Sequence, residues 1–133
     1  AEENGVPATF IRRANEVNLE MSKYIVDRVE ADNSGSLHGK NVLVVGVAYK
    51  PNVADVRETA AELVIQHLRE RGAIVSWHDD VVGSWKGENS VPLSGAEIAI
   101  VVTMHETVKP ADVIASAPYV FDTTGKLKGV KGL

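Results

Sequence analysis

Cysteine is absent from the 133 residues, which excludes disulfides, thiolate metal sites and any cysteine nucleophile within this chain. Basic runs are absent too. Fourteen Lys and Arg stand against eighteen Asp and Glu, a formal charge of −4. With no arginine-rich face, no nucleic-acid partner is expected. The longest apolar run, Ile98 to Met104, falls far short of the ~20 residues that span a bilayer, and no charged-then-apolar leader opens the sequence. No membrane partner and a cytoplasmic location are therefore expected. What the sequence does have is 44% hydrophobic residues, enough for a soluble core of one ordinary domain, or of a small domain with an appendage.

From Ala8 to Glu30 the apolar residues Phe10, Ala14, Val17, Met21, Tyr24, Ile25 and Val29 recur at steps of three and four, placing them on one face of a helix. At 1.5 Å per residue such a helix is roughly 35 Å long. Pro7 suits its first turn, where a missing N–H costs no helical bond. Residues 31–40, ADNSGSLHGK, are small, polar and glycine-bearing and read as a linker. The helix is thus expected to be an appendage whose apolar face is covered by the following domain or by a second copy of the chain.

After the linker the periodicity changes. Asn41 to Tyr49 is continuously apolar, the pattern of a strand covered on both faces, as in parallel sheets. A helix should follow, with Asp55 as N-cap, Glu58 completing a capping box and Gly72 ending it. Ala73–Trp77, Glu97–Thr103 and Tyr119–Asp122 read as further strands, and Pro110–Ser116 as a short helix. The stretch 76–95 is turn-rich, with a short helical piece expected near Val81–Trp85. Strands alternating with helices predict an α/β fold, a doubly wound, mainly parallel sheet over 41–133, preceded by one long α-helix.

Open α/β sheets bind ligands beyond the carboxyl ends of their strands. Here that edge collects Tyr49, Lys50, Pro51 and Asn52; His78, Asp79 and Asp80; Thr103, Met104, His105 and Glu106; and Thr123, Thr124, Gly125 and Lys126. A lysine beside a helix N-terminus favours an anion, and phosphate is the commonest small one. Lys50 could instead pair with Asp55 or Asp79 on a solvated loop. Arg57 would oppose the dipole of a helix starting near Val56, so pairing with Asp55 or another carboxylate is expected to offset it. No GxGxxG follows the first strand: Gly46 lies inside it and Lys50-Pro51 occupies the loop, which makes the sheet a poor NAD site. His78, Asp79, Asp80 and His105 have no spacing typical of a metal site, so no metal is expected. Nor is there a nucleophile elbow.

The segment GVAYKPNVADVRET (46–59) resembles a turn of the UDP-glucose/GDP-mannose dehydrogenase family, G-[LV]-[AS]-[FY]-K-x-[DN]-[TV]-x-D-x-R-[EN]-[ST], in the family's C-terminal nucleotide-binding domain. Gly46, Val47, Ala48, Tyr49, Lys50, Asn52, Val53, Asp55, Arg57, Glu58 and Thr59 all fit. RRANEVNLEMSKYIVDRV (12–29) is similar to the family's central helix, with Ala14, Asn18, Tyr24, Ile25 and Val26 in register. LSGAEIAIVVTMHE (93–106) is similar to a downstream stretch containing T-x-H. The likeness covers most of residues 8–125.

The resemblance implies a Rossmann-like domain that holds the nucleotide of a UDP-sugar in a larger enzyme. That parent would be an NAD-dependent nucleotide-sugar 6-dehydrogenase, oxidising the C6 alcohol to a carboxylate through a thiohemiacetal on a central-domain cysteine. UDP-glucose or a UDP-N-acetylhexosamine would be its substrate. Neither the NAD fingerprint nor the cysteine is here, so the chain is expected to be one part of that protein and inactive alone, with NAD bound elsewhere. Residues 1–30 would then end the central dimerisation helix, 31–40 would link, and 41–133 would be the nucleotide-sugar domain. The partners implied are the rest of the parent chain and a second copy paired through the long helix. By the family pattern Tyr49 and Lys50 contact the nucleotide, while Asp55, Arg57 and Glu58 order the loop. An arginine often follows the last strand's aspartate and completes the nucleotide site; here Thr124 holds that position, and Lys126, two residues on, is expected to contact the nucleotide with Tyr49 and Lys50. The GDP-mannose branch and a noncatalytic oligomerisation module built on the helix are the alternatives. A receiver-like domain using Asp79, Asp80, Thr103 and Lys126 is disfavoured, because the order is wrong: the first strand ends in Tyr49-Lys50 rather than in an acidic pair.

Overall fold

In the computed structural model, which describes the backbone of residues 8–133 and side chains from Leu19 onward, valine-rich Asn41–Val45 forms strand β1 between two parallel neighbours. These are β2 (Ile74–His78) and β5 (Ile98–Val101). Outward from β5 lie β6 (Tyr119–Asp122) and β7 (Lys131–Gly132), so the order is β2-β1-β5-β6-β7 with every pairing parallel. Helix α2 (Ala60–Glu70) connects β1 to β2, and α3 (Pro110–Ala115) connects β5 to β6. Side chains alternate faces along each strand. Val42, Val44, Ile98 and Ile100 therefore pack with α2, while Leu43, Val45, Ala99 and Val101 pack with Val113 of α3. Helices cover both faces, so the sheet is doubly wound and Rossmann-like.

The long helix α1 (Ala8–Asp32) precedes the sheet. Ser22, Ile25, Val26 and Val29 fall at i, i+3, i+4 and i+7 and are buried, and the last three share the core of α2. Arg71 at the end of α2 reaches Asp27 (2.7 Å) and Glu30 (3.5 Å), and the Tyr119 hydroxyl donates to Asp32 (2.7 Å). Residues 31–40, expected as a linker, are held closely: Leu37 is buried, Gly39 N–H donates to Gly72 O, and Ile74 N–H to Lys40 O. The second half of α1 is thus part of the domain core. Among the described residues no helix is long and apolar enough to cross a membrane.

Four local expectations are corrected. Strand β1 stops at Val45 rather than Tyr49, because Gly46 turns into the left-handed region at φ +85°. Helix α2 starts at Ala60, not near Val56. Its N-cap is Thr59, whose hydroxyl accepts from Ala61 N–H, whereas Asp55 is engaged by Arg57 and Glu58 is left-handed at φ +56°. The piece near Val81–Trp85 is no helix. It leads into the antiparallel hairpin β3 (Ser84–Trp85) and β4 (Glu88–Asn89), whose Lys86-Gly87 turn has positive φ at both residues. Trp85 meets Trp77 edge-on, and Arg69–Glu88 and Lys86–Glu62 ion pairs tie the hairpin to α2. Strand β7, too short to leave a periodic signal, was not foreseen.

A Cβ on Gly46 would lie 1.9 Å from the backbone oxygen of Thr103, at a φ that side chains rarely adopt. Gly46→Ala is expected to lower stability by at least ~3 kcal/mol, combining strain with forced separation of the β1 and β5 loops. Urea denaturation of the two forms checks this; a loss under ~1 kcal/mol would contradict the packing described.

Candidate functional site

Parallel register aligns the carboxyl ends of the strands: Val45 faces His78 and Val101, and Val101 faces Asp122. The loops leaving this row meet at Asp79. Asp79 is 1% exposed, and donors from three loops converge on its carboxylate. Val47 and Ala48 N–H donate to Oδ2 at 2.9 and 3.1 Å; Val81 and Val82 N–H donate to Oδ1 at 3.1 and 2.9 Å. His105 Nε2 lies 2.9 Å from both oxygens. Burial alone would raise the carboxyl pKa, but the hydrogen bonds from Val82, His105 and Val47 outweigh it and hold it below the usual carboxylate range.

His105 is itself 1% exposed, and its Nδ1 accepts the Asn52 N–H at 2.8 Å. That acceptor role assigns the ring proton to Nε2, which therefore donates to Asp79. Asn52, left-handed at φ +66°, also accepts Glu106 N–H on its side-chain oxygen at 2.8 Å. Above this layer, Thr103 and Thr59 hydroxyls both donate to Ala48 O, at 2.8 and 3.3 Å. The β1 loop is thereby sewn to the ends of β2 and β5 and to the start of α2.

The outward side of that loop carries the residues singled out from sequence. Tyr49, Asp55, Arg57 and Glu58 line one open hollow. Tyr49 N–H donates to Asp55 O at 2.6 Å, and Asp55 receives the Arg57 guanidinium at 2.9 and 3.1 Å and its N–H at 2.9 Å. The Arg57 side chain, then its N–H, bring the exposed Asp55 carboxyl down to about 2, with a smaller contribution from the charge of Lys50. Because α2 begins three residues after Arg57, the dipole conflict expected for this cation does not arise. Lys50 is exposed beside the hollow. Lys126 is exposed in the turn after β6, its N–H donating to the Thr124 hydroxyl, and does not line the hollow. Thr124 turns inward: its N–H and hydroxyl donate to Asp122 Oδ1 at 2.8 and 2.6 Å, and Leu127 N–H donates to Oδ2 at 2.9 Å.

Sequence reasoning named Asp79, His105 and Asn52 as edge residues but missed that they form one buried network. The T-x-H step after β5 was the available signal. The same network bears on a dinucleotide. NAD would need the N–H groups after β1 for its pyrophosphate and an acid at the end of β2 for a ribose. Here Val47 and Ala48 N–H are spent on Asp79, and Asp79 has no exposed oxygen. The residues present do not fit NAD.

An amide at Asp79 would turn a donor toward donors, so Asp79→Asn should cost ~3 kcal/mol. The depressed carboxyl stabilises the fold fully above the unfolded value of ~3.9, and this contribution is lost as pH falls through the lower folded value. Acid melts should therefore show the native chain losing stability below pH ~4 more steeply than Asp79→Asn; parallel curves would remove Asp79 as the cause.

Comparison with known proteins agrees with this geometry. Residues 43–129 match the model of the UDP-glucose/GDP-mannose dehydrogenase family, UDP binding domain. A UDP-N-acetyl-D-mannosamine dehydrogenase of Methanococcus maripaludis is 32% identical over 133 aligned residues, covering 91% of this chain but 31% of the relative. Among solved structures, the UDP-N-acetyl-mannosamine dehydrogenase Cap5O of Staphylococcus aureus shares the fold at 24% identity with a TM-score of 0.71, over 94% of this chain and 32% of that one. A UDP-glucose dehydrogenase of Pyrobaculum islandicum gives 26% identity and a TM-score of 0.62, over 86% and 28%. The chain thus spans about a third or less of the length of these relatives. It belongs to the UDP-glucose/GDP-mannose dehydrogenase family, with residues 43–129 forming the UDP-binding domain.

Proposed function

We propose that this chain holds the nucleotide of a UDP-sugar on behalf of an NAD-dependent nucleotide-sugar 6-dehydrogenase, of which it is one domain. The observation that carries the reading is the placement of Tyr49, Asp55, Arg57 and Glu58 around one hollow at the carboxyl edge, beside the β1–β5 switch point, within the matched UDP-binding region. Lys50, exposed at its margin, supplies positive charge for the diphosphate, and the exposed Tyr49 ring offers a flat surface for the nucleotide. The Asp55–Arg57 pair, with left-handed Glu58 beside it, orders the loop. Lys126, exposed in the turn after β6, is the second cation in this reading.

Oxidation of the C6 alcohol would take place outside this domain. NAD, bound by another part of the parent protein, would accept the hydrides there, and the nucleophilic cysteine would come from there too. This chain contributes binding and orientation of the substrate. Leu19, Met21 and Tyr24, exposed along α1, suit pairing with a second copy or with the parent's central region.

A thermal-shift titration with UDP, GDP and NAD+ tests the reading. UDP at ~100 times its dissociation constant adds ~2.7 kcal/mol, raising the melting midpoint by several degrees. A response to GDP alone would favour the mannose branch; no response to either nucleotide, with a stable dimer, would favour an oligomerisation module. Lys50→Ala should weaken UDP binding about tenfold with an unchanged melt, since the side chain is exposed. The purified chain should oxidise no UDP-sugar with NAD+; turnover above the blank would overturn the assignment of chemistry to other domains.

A further inference from the structure

Beyond Ala48, which the Thr103 hydroxyl holds, the loop bearing Tyr49 and Lys50 is fastened to the β5 loop at Asn52. Two bonds do this: Asn52 N–H to His105 Nδ1, and Glu106 N–H to Asn52 Oδ1, both 2.8 Å. Tyr49 N–H and the Asp55 carboxylate bond only within the loop itself. On its other nitrogen, buried His105 meets the Asp79 carboxylate, which gathers the β1 and β2 loops. One ring therefore spans the buried network and the outer loop, and its two nitrogens face different structures.

We propose that His105 is a positioning residue for the nucleotide loop, with its two ring nitrogens doing separable jobs. Nε2 completes the Asp79 network and supports the fold; Nδ1 fixes Asn52, and through it the placement of Lys50 two residues earlier. The consequence for nucleotide affinity rests on the function proposed above. The consequence for loop order does not.

Two substitutions divide the ring. In His105→Gln the longer amide can place an N–H near the position of Nε2 and still donate to Asp79, but nothing remains to accept the Asn52 N–H. In His105→Asn the shorter amide can place an oxygen near the position of Nδ1, keeping the Asn52 bond and losing the one to Asp79. His105→Gln should melt close to the native chain, show about tenfold faster amide exchange over residues 49–58, and bind UDP about tenfold more weakly. His105→Asn should melt lower while keeping native exchange in that segment and UDP affinity within about twofold.

Melting, exchange and UDP titration of the same 133-residue chain read all three quantities. If affinity and loop exchange follow melting in both variants, His105 is only a core residue and the proposal fails. If the native chain does not bind UDP, the proposed function falls, and the exchange split alone then decides the positioning role. Should either histidine variant fail to fold, exchange at the Asn52 amide of the native chain decides, because that N–H is the one His105 Nδ1 accepts. Exchange at least about tenfold slower than for an unbonded amide upholds the fastening; exchange at the unbonded rate overturns it.

Discussion

A carboxylate shut away from water must find its donors in the protein, and Asp79 draws them from three loops at once. Val47 and Ala48 come from the turn after β1, Val81 and Val82 from the turn after β2, and His105 from the turn after β5. An unpaired buried charge would be intolerable, so each loop is committed to a single path. The open edge of the sheet inherits its shape from that commitment. Gly46 is left-handed, and a side chain there would collide with Thr103.

The same interaction decides what the edge can hold. A Rossmann-like sheet ordinarily offers the N–H groups after its first strand to a phosphate. Asp79 satisfies two of them internally, so those N–H groups are not offered to an anion here, and under the proposed function the diphosphate would meet side chains such as Lys50 instead. The topology of a dinucleotide-binding sheet is kept while its usual phosphate donors are spent inside the protein.

Much of the architecture was legible in the chain. Continuous apolar runs at Asn41–Val45 and Ile98–Val101 signalled a two-faced sheet, and the three- and four-residue steps around Ile25 and Val29 signalled α1. The Asp55–Arg57 contact was expected too, but as the offset to a helix dipole at Arg57, and it forms instead on the loop ahead of α2. What escaped were features set by contacts distant in sequence. Thr59 displaced Asp55 as the cap because the Thr59 hydroxyl also bonds Ala48 O, eleven residues back. The Lys86-Gly87 hairpin and two-residue β7 were too short for periodicity to register. The ring of His105 could be seen as an edge residue, but its burial against Asp79 depends on strand register, which no local pattern encodes.

The tip of the β3–β4 hairpin depends on Asp79 only through its flanks, where Gly83 N–H donates to Asp79 O and Asp79 N–H donates to the Ser90 hydroxyl, both at 2.8 Å. Its side chains are held by an edge-on tryptophan contact and by ion pairs to α2, on the flank away from the Tyr49 hollow. The exposed Lys86-Gly87 turn itself bonds none of Asp79, His105 and Asn52. That turn is therefore the natural place to graft a fluorophore or an affinity tag while leaving the strand ends undisturbed.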